Sequence, residues 1–481
     1  MIVSFAPLCE TWFDMLKLTI RPVVTAAAFF SIFSMAHAGE APPDEAALHL
    51  LAPFSTLGGS PEGKAALAGN LAVTEQIQNG SAKQFLLQDD KTQQEQALRD
   101  AFITSDNARE LADGLGTELG GIYQSGTAYT NEAHPHGSNI SPALAALFHI
   151  AGEQEKAAAG SAKFFFADGT ADGKACALKE VHDVLDPIRG KVDVFGTAYS
   201  HDAGDAVPCA DNQRAPIDTD ANACTKSTDK FGNSRPFQTE PGLVAYVGTD
   251  YFGAPSTNLF FLCGPMQPLQ KSPSFPSGHT TYGYADALLL ALLVPQRYPQ
   301  MIVRAAEYGN DRIVLGAHYA MDVLGGRTLA LYEIARLLDP KTSAAAGQTD
   351  FKGTLARARN DLTQFFLKHC KEKTLAACAA ADHGRFSDAA ADEKFYEATR
   401  TYGLPPVYPA KDKEDVSKLT PNPGYLLTTA FPKLTLEQAD KILTETEGPS
   451  GGFLDNGEFG AYSRLDLYKA AKEAQESENK P

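Results

Sequence analysis

The stretch SPSFPSGHTTYGYADALLLALLVPQRYPQMIVRAAEYGNDRIVLGAHYAMDVLGGR, residues 272–327, decides the fold of this chain. Its apolar residues recur at helical spacing, and the pattern is interrupted at Pro295 and Gly316, which end helices. The pattern predicts three consecutive helices, at about His279–Leu293, Pro299–Leu315 and Tyr319–Leu338. The first helix is strongly apolar but short, and it carries Asp286, so we expect a buried core helix rather than a membrane span.

The rest of the chain also has mostly helical patterns. Before the deciding stretch, amphipathic segments lie at about 43–51, 62–78, 91–124 and 141–158. From about 196 to 274 the chain is rich in Gly, Pro, Asp and Asn, which predicts a long loop region tied by disulfides. Near the C-terminus, Thr435 and Gln438 form a capping box for a helix over 436–446. No series of strands is evident, so we predict an all-α fold, a helical bundle with long loops.

Composition and charge narrow the possible partners. The chain has 481 residues, 43% of them hydrophobic and 21% charged, which is typical of an ordered globular protein. Its net charge of −17 argues against nucleic acid or an anionic membrane as the main partner. A site for an anion must therefore be a local cationic pocket that works against the overall field.

The first 38 residues have the pattern of a signal peptide. Lys17 and Arg21 precede an apolar run over 23–35, and the small residues Ala36 and Ala38 form a cleavage pattern. The alternative is a membrane anchor, but the apolar run is short for a bilayer span. We therefore expect a periplasmic or secreted protein without stable membrane insertion.

The cysteines are consistent with export. One of the seven, Cys9, lies in the predicted signal peptide, and an even number remains: Cys176, Cys209, Cys224, Cys263, Cys370 and Cys378. Six cysteines in an exported chain predict up to three disulfides, although about 15 pairings are possible. The pairs closest in sequence, Cys209–Cys224 and Cys370–Cys378, are the first candidates.

His318 and Asp322 form the first part of a candidate catalytic site. They are four residues apart, so on a helix they share one face, and the carboxylate can accept the Nδ1 proton of the imidazole. That contact would fix the tautomer and leave Nε2 as a nucleophile. Arg312, six residues before His318, offers paired donors that match phosphate oxygens.

The tetrapeptide PSGH, residues 276–279, supplies the second part. Free backbone amides at a helix start bind anions, Gly278 permits close approach, and the Ser277 hydroxyl adds a donor. His279 follows directly and is placed to give a proton to a leaving oxygen. Upstream, Arg235 would spread transition-state charge over further oxygens.

Each of these residues alone has an ordinary structural explanation, as a surface ion pair, a helix cap or a surface arginine. Together, two motifs in this order contain a nucleophile, a proton donor and several oxyanion donors, which is a full set for phosphoryl transfer. The set includes no obvious metal cage, so we expect no metal and no cofactor.

The motifs resemble those of the phosphatidic-acid-phosphatase-type (PAP2) superfamily, and most closely those of the soluble bacterial class A nonspecific acid phosphatases. That family carries Lys-x6-Arg-Pro, then Pro-Ser-Gly-His, then Ser-Arg-x5-His-x3-Asp. The second motif is intact here. In the third, Asp311 replaces the serine, and in the first, Arg235 and Pro236 match but Thr228 stands at the lysine position.

The resemblance implies a helical bundle of the acid phosphatase–haloperoxidase type and a two-step hydrolysis of phosphomonoesters. His318 would attack phosphorus to form a phosphohistidine, His279 would act as general acid and then general base, and Asp322 would orient His318. The phosphate-binding residues would be Arg312, Arg235, Ser277 and Gly278. The implied ligands are a small phosphorylated substrate, inorganic phosphate as product and vanadate as inhibitor.

Two alternatives remain open at this point. A vanadium-dependent haloperoxidase resembles the same superfamily, although the gap of 33 residues between His279 and Arg312 is similar to that of the phosphatases, since haloperoxidases carry a longer insertion. A non-catalytic phosphate-binding protein is the other alternative, but binding alone needs neither a nucleophile nor a proton donor.

The sequence also predicts an order of regions along the chain. We expect a signal peptide, an N-terminal helical region, a PAP2-type phosphatase core and a C-terminal helical extension, at 1–38, 39–160, 161–340 and 341–481 respectively.

Overall fold

The computed structural model describes residues 51, 54–101, 108–127, 140–165, 235–236, 243–251, 253, 255–258, 274–344, 350–381, 383–457 and 459–478. All of them belong to one compact unit, Ala41–Pro481. The predicted signal peptide, the predicted Cys209–Cys224 pair and most of the predicted loop region lie outside these residues.

The N-terminal part of the described chain is helical. Its α-helices are α1 (Pro61–Gln78), α2 (Asp90–Asp100), α3 (Thr117–Ser125) and α4 (Pro142–Phe165). Short 3-10 helices lie at Phe54–Gly59, Lys83–Phe85 and Glu110–Leu115. The predicted stretch at 91–124 is therefore not one helix. Gly116, with φ of 109°, adopts a backbone conformation that favours glycine and separates the 3-10 helix from α3.

Three long helices follow in the deciding stretch, within one residue of the predicted bounds. They are α5 (Gly278–Leu293), α6 (Tyr298–Val314) and α7 (Ala320–Leu338), with a 3-10 turn at Pro295–Arg297 between the first two. The Ser277 side chain caps the start of α5 by accepting from the Thr280 amide. Gly316, with φ of 74°, stands in the turn that ends α6.

The C-terminal part adds smaller helices. They are α8 (Pro340–Ser343), α9 (Phe351–His369), α10 (Leu375–Ala381), α11 (Ala389–Thr401), α12 (Tyr425–Thr428), α13 (Leu436–Thr446), α14 (Ala461–Arg464) and α15 (Leu467–Glu478), with a 3-10 turn at Val416–Lys418. The capping box of Thr435 and Gln438 is present, which confirms that prediction. The predicted disulfide between Cys370 and Cys378 is also present.

A small β-ribbon interrupts the otherwise helical fold. Strands β1 (Val247–Thr249) and β2 (Pro255–Thr257) pair antiparallel, with Gly248 opposite Ser256. No strand was expected in this segment, because its runs are too short for a period-two pattern to be distinguished from loop. With one two-stranded ribbon in the described residues, the all-α prediction is confirmed.

Helix α5 lies at the centre of the core. It packs against α6, α7 and α4, and α4 in turn packs against α9. The LLLALL segment, residues 288–293, is at most 1% exposed, so it is a core helix as predicted, and each buried leucine contributes about 1.5–3 kcal/mol. Among the described helices, none is long and apolar enough to cross a membrane.

Candidate active site

His318 lies in the turn between α6 and α7, two residues before α7 begins. The prediction that His318 and Asp322 share one helix face was therefore wrong in its geometry. The carbonyl of Arg312 accepts from the amides of Ala317 and His318, at 3.0 and 3.2 Å, and these bonds fix the turn. Asp322 approaches His318 from the first turn of α7 instead.

The N-terminal helix α1 holds the start of α7 in place. The first amides of a helix have no partner within the helix. Here the Asn70 side-chain oxygen accepts from the Met321 amide at 2.8 Å, and the Thr74 hydroxyl accepts from the Ala320 amide at 3.1 Å. Both side chains are fully buried. The N-terminal region therefore contributes directly to the position of the His318 turn.

Arg235 fixes the tautomer of His318. Its Nη1 lies 2.9 Å from His318 Nε2 and 3.0 Å from the Ala317 carbonyl oxygen. An arginine can only donate, so Nε2 must accept with its lone pair, and the proton of the neutral ring is then on Nδ1. Burial lowers the pKa of Arg235 to about 10, against the opposing effect of Asp322, so the side chain stays cationic at neutral pH.

Ser274 links His318 to Asp322. The Ser274 hydroxyl donates to Asp322 Oδ2 at 2.5 Å and lies 3.3 Å from His318 Nδ1, whereas Nδ1 and Asp322 Oδ2 are 3.4 Å apart. The direct pair is therefore longer than an ordinary N–H···O hydrogen bond. Because the Ser274 proton points to the carboxylate, its oxygen is available to accept from Nδ1–H. The predicted partner Asp322 is present, and the Ser274 hydroxyl that bridges it to His318 was not predicted from the sequence.

The two predicted catalytic histidines are in contact. His279 Nδ1 lies 3.3 Å from His318 Nε2, and the ring centroids are 5.5 Å apart in an edge-to-face arrangement. His318 is fully buried, whereas His279 is 9% exposed, so His279 is the ring nearer to solvent. The lone pair of His318 therefore faces both Arg235 and His279.

Ser277 and Gly278 open helix α5, as predicted. The Ser277 oxygen accepts from the Thr280 amide at 3.0 Å and lies 2.9 Å from the Thr280 hydroxyl. The Ser277 amide donates to the Asp322 carbonyl at 3.0 Å, which ties this loop to α7. Gly278 is half-buried, and its amide is one of those that a helix start leaves without an intrahelical acceptor.

Arg312 is a buried cation without an anionic partner in the described part of the chain. It is 2% exposed, and neither Nε nor Nη2 has a hydrogen-bond partner there. Its guanidinium lies 4.6 Å from the centre of the Tyr308 ring. Gly283 on α5 makes room for that ring, because a Cβ there would lie 2.1 Å from Tyr308. A charge buried without an ion pair is costly, and an anionic ligand would remove that cost.

Two tyrosines connect Arg312 to the histidines. The Tyr282 ring lies 5.6 Å from the His279 ring and 6.5 Å from the Tyr308 ring. Burial raises the pKa of Tyr282 to about 12, although Arg312 opposes the shift, so its hydroxyl remains protonated. Neither tyrosine was among the predicted site residues. Tyr308 could have been found from its position four residues before Arg312 on a helix.

The structure thus brings together the predicted His318, His279, Asp322 and Arg235, with Ser277 and Gly278 at the adjoining helix start. Arg312 joins them through ring contacts rather than a direct hydrogen bond. Thr228 and the flanking lysines of the incomplete first motif, Lys226 and Lys230, lie outside the described residues.

Comparison with known proteins identifies this segment. Residues 221–338, which include every predicted site residue, match the family model of the PAP2 superfamily. This part of the chain is therefore similar to the PAP2 superfamily, and we call it the PAP2 segment. The PAP2 segment contains α5, α6 and α7 and the residues that converge on His318.

Curated relatives also match part of the chain. An acid phosphatase of Zymomonas mobilis is 40% identical over 94 residues, which is 20% of this chain and 33% of that protein. A non-specific acid phosphatase of Salmonella typhimurium is 39% identical over 94 residues, and one of Providencia stuartii is 38% identical over 69. The chain therefore spans about a third of the length of the curated relatives that it matches.

Proposed function

We propose that this protein is an exported acid phosphatase that hydrolyses phosphomonoesters through a phosphohistidine on His318. One observation carries the proposal. The Nε2 lone pair of His318 is held by Arg235 at 2.9 Å, while Ser274 lies against the opposite ring nitrogen at 3.3 Å. The names of the matched relatives and the PAP2 segment support the same reaction class.

In the first step, the lone pair of His318 Nε2 forms a bond to phosphorus while the bond from phosphorus to the ester oxygen breaks. His279 gives a proton to the departing oxygen, so that an alcohol leaves. Arg235, Arg312 and the amide of Gly278 hold the three phosphoryl oxygens as charge develops on them. Asp322, acting through Ser274, stabilises the positive charge on the imidazole ring.

In the second step, water attacks the phosphorus of the phosphohistidine. His279, now neutral, takes a proton from the water, the N–P bond breaks and inorganic phosphate leaves. His279 and Arg235 contact Nε2 at 3.3 and 2.9 Å, so a phosphoryl group bound there must displace these contacts. We expect the more exposed His279 ring to turn from Nε2 toward the ester oxygen when substrate binds.

The charges around the site suit an anion and disfavour a metal cation. Arg235 and Arg312 bring two guanidinium groups to the site, and Oδ2 of Asp322 already accepts from Ser274 and from the Tyr319 amide. The remaining groups are hydrogen-bond donors aimed at oxyanions. We therefore propose that turnover requires no added metal and that vanadate, as a phosphate mimic, inhibits.

The decisive experiment is a quench of the full chain during turnover. Phosphohistidine is acid-labile, so the reaction with p-nitrophenyl phosphate should be stopped in alkali and digested for mass spectrometry. We expect phosphate on His318, no turnover in His318→Ala, and full activity with chelator present. Thr281→Ala, a buried residue of α5 outside the contacts of His318, is the control for folding.

Other results would reject the mechanism. Full activity of His318→Ala would exclude it as nucleophile, and phosphate release that depends on added metal would exclude the proposed chemistry. Bromide oxidation after loading with vanadate, without phosphatase activity, would favour the haloperoxidase alternative.

The place of action is proposed on separate grounds. The signal-peptide pattern at 1–38 and the disulfide of Cys370 and Cys378 both fit an oxidising compartment. The mass of the protein recovered from the periplasm or medium should correspond to a start at Gly39. Recovery of the uncleaved chain from the membrane fraction would contradict this.

A further inference from the structure

A cavity beside helix α7 is lined by residues other than those that surround His318. Its volume is about 220 Å³, and it lies between α7, the end of α11 and the loop at 449–454. Its floor contains two buried arginines, Arg327 of α7 and Arg400 of α11, beside the buried Phe453. A small cavity with two guanidinium groups on its floor is an unusual core feature, because buried charge is costly without a partner.

Arg327 has no anionic partner in the described chain. It is 3% exposed, and within that part no carboxylate lies close enough for an ion pair. Its Nη2 donates to the Ser463 carbonyl at 2.9 Å, while Nε has no hydrogen-bond partner. Three phenols interact electrostatically with Arg327: those of Tyr284, Tyr396 and Tyr402. These phenols stay neutral, because burial raises the pKa of each, and so they do not balance the charge.

Arg400 differs in having a carboxylate partner. Its Nη1 lies 2.8 Å from Asp466 Oδ2, and its Nη2 donates to the Arg464 carbonyl at 3.1 Å. Its Nε is buried without a hydrogen-bond partner in the described residues. Asp466 and Glu397, whose Oε2 lies 3.3 Å from Nη1, therefore neutralise Arg400, and the positive charge of Arg327 is left for a ligand to balance.

The walls define what such a ligand would be. Leu324, Leu404 and Leu454 give an apolar lining, and the exposed Pro449 and Gly452 stand at the rim, so the cavity is open to solvent on that side. A volume of about 220 Å³ holds roughly seven waters. That is more than a bare phosphate fills and less than a nucleotide needs.

We propose that this cavity binds a small organic anion, with its carboxylate or phosphate group on Arg327 and a short apolar body against the leucines. The anion would give the buried guanidinium a charged acceptor and would place apolar atoms against apolar walls. The site is separate from the candidate active site, so the proposal does not rest on the proposed function.

The cavity is nevertheless close to the candidate active site in the structure. Arg327 follows Asp322 by five residues on α7. Phe453 of the cavity packs on Phe275, with ring centroids 6.4 Å apart, and Phe275 directly follows Ser274 in the chain. A ligand here would lie one layer of side chains behind the bridge between His318 and Asp322.

The test is calorimetric titration of the full chain with benzoate, phenylphosphonate and inorganic phosphate, with benzyl alcohol as the neutral match. Benzoate and phenylphosphonate distinguish a carboxylate from a phosphate-type head group. We expect saturable binding of at least one of them, and an affinity for benzyl alcohol lower by about tenfold or more, because a charge-assisted contact is lost. Arg327→Met should lose that binding, while Arg312→Met, at the candidate active site, should keep it.

Thermal unfolding controls for the fold of Arg327→Met. If that variant does not fold, Gly452→Trp replaces it, since a Cβ at Gly452 meets no atom within 4 Å and a large side chain there would fill the rim. Gly452→Trp should weaken binding of the same anion with Arg327 intact. Equal binding of benzyl alcohol, loss of binding in Arg312→Met but not Arg327→Met, or no saturable binding of either organic anion would overturn the proposal.

Discussion

Two buried arginines of helix α6 have opposite surroundings. Arg304 is fully buried and holds both oxygens of Asp100, at 2.6 and 2.7 Å, and an oxygen of Asp113, at 2.7 Å. Arg312, eight residues later and about 12 Å further along the axis, has no carboxylate partner among the described residues. One helix therefore carries a cation that is saturated by carboxylates and a cation that is open to a ligand.

The surroundings of Arg304 extend into a network of alternating charges. Arg385 joins Asp113, at 2.6 Å, to Glu307, at 2.7 Å. The carboxylates of Asp100, Asp113 and Glu307 provide acceptors for the guanidinium groups of Arg304 and Arg385. Such pairing is how a buried structural ion network offsets the cost of its charges. The contrast indicates that the protein can supply such partners and that, among the described residues, it does not do so at Arg312, which is consistent with the proposed phosphate-binding role.

The largest predicted effect is that substitution of Arg312 lowers activity, whereas substitution of Arg304 lowers stability. Arg312→Met should lower kcat/KM for p-nitrophenyl phosphate by about 10²–10³-fold, as removal of an oxyanion donor does, with little change in stability. Arg304→Met should lower the free energy of unfolding by about 3–5 kcal/mol, because it leaves buried carboxylates unpaired. Steady-state kinetics and urea unfolding of both variants measure this. A stable, inactive Arg304→Met together with an unstable, active Arg312→Met would reverse the assignment.

The second prediction concerns Glu110, a buried glutamate close to Asp100 and Arg304 of the Arg304 network. Burial raises the pKa of Glu110 from 4.5 to about 8. The folded state therefore keeps a proton that the unfolded state loses, and the contribution of Glu110 to stability is fully present below pH 4.5 and falls as pH rises toward 8. The loss amounts to about 1.4 kcal/mol per pH unit in that window.

Glu110→Gln should remove this slope, because the amide is neutral in both states. Urea unfolding at several pH values between 4.5 and 8 measures the difference between the two proteins. Glu118, an exposed glutamate of α3, provides the matched control, and Glu118→Gln should leave the slope intact. Parallel pH profiles for wild type and Glu110→Gln would show that Glu110 is ionised in the folded protein.

The sequence predicted local structure well where one motif decided it. Helices α5, α6 and α7 lie within one residue of the expected bounds, because Ser277, Pro295 and Gly316 end or begin helices through backbone constraints that act locally. The same locality identified the two histidines and Arg312. The contact of His279 with His318, which any shared mechanism requires, followed from the family resemblance and is present in the structure.

What the sequence could not predict depends on contacts between distant residues. Asn70 and Thr74 bond the start of α7 from about 250 positions away, and no spacing rule connects them to it. Asp311 is a similar case. It stands where the family has serine, and Gln93 donates to its side chain at 2.6 Å. Burial beside Asp100 and Glu307 raises the pKa of Asp311 well above its usual range.

The smallest predicted effect concerns the hydroxyl of Ser274. The Arg304 network joins its charges directly, whereas the Asp322 carboxylate acts on His318 through this hydroxyl, 2.5 Å from Asp322 and 3.3 Å from His318. In Ser274→Ala, Nδ1 loses a nearby acceptor, and the remaining Asp322 oxygen at 3.4 Å is a poor one. We expect kcat to fall by about tenfold with KM nearly unchanged, because a positioning residue that does not touch substrate affects the chemical step rather than binding.

Ser274→Thr, which restores the hydroxyl, should recover most of the lost kcat. Thr281→Ala tests whether any lost hydroxyl in this buried region has the same effect, since within the described chain the Thr281 hydroxyl bonds only the Ser277 carbonyl, at 2.9 Å. That variant should cost stability and leave kcat alone. A rise in KM at constant kcat for Ser274→Ala would instead place the hydroxyl against the substrate. The carboxylate would then act on His318 without a bridge, as the carboxylates around Arg304 act on their arginine.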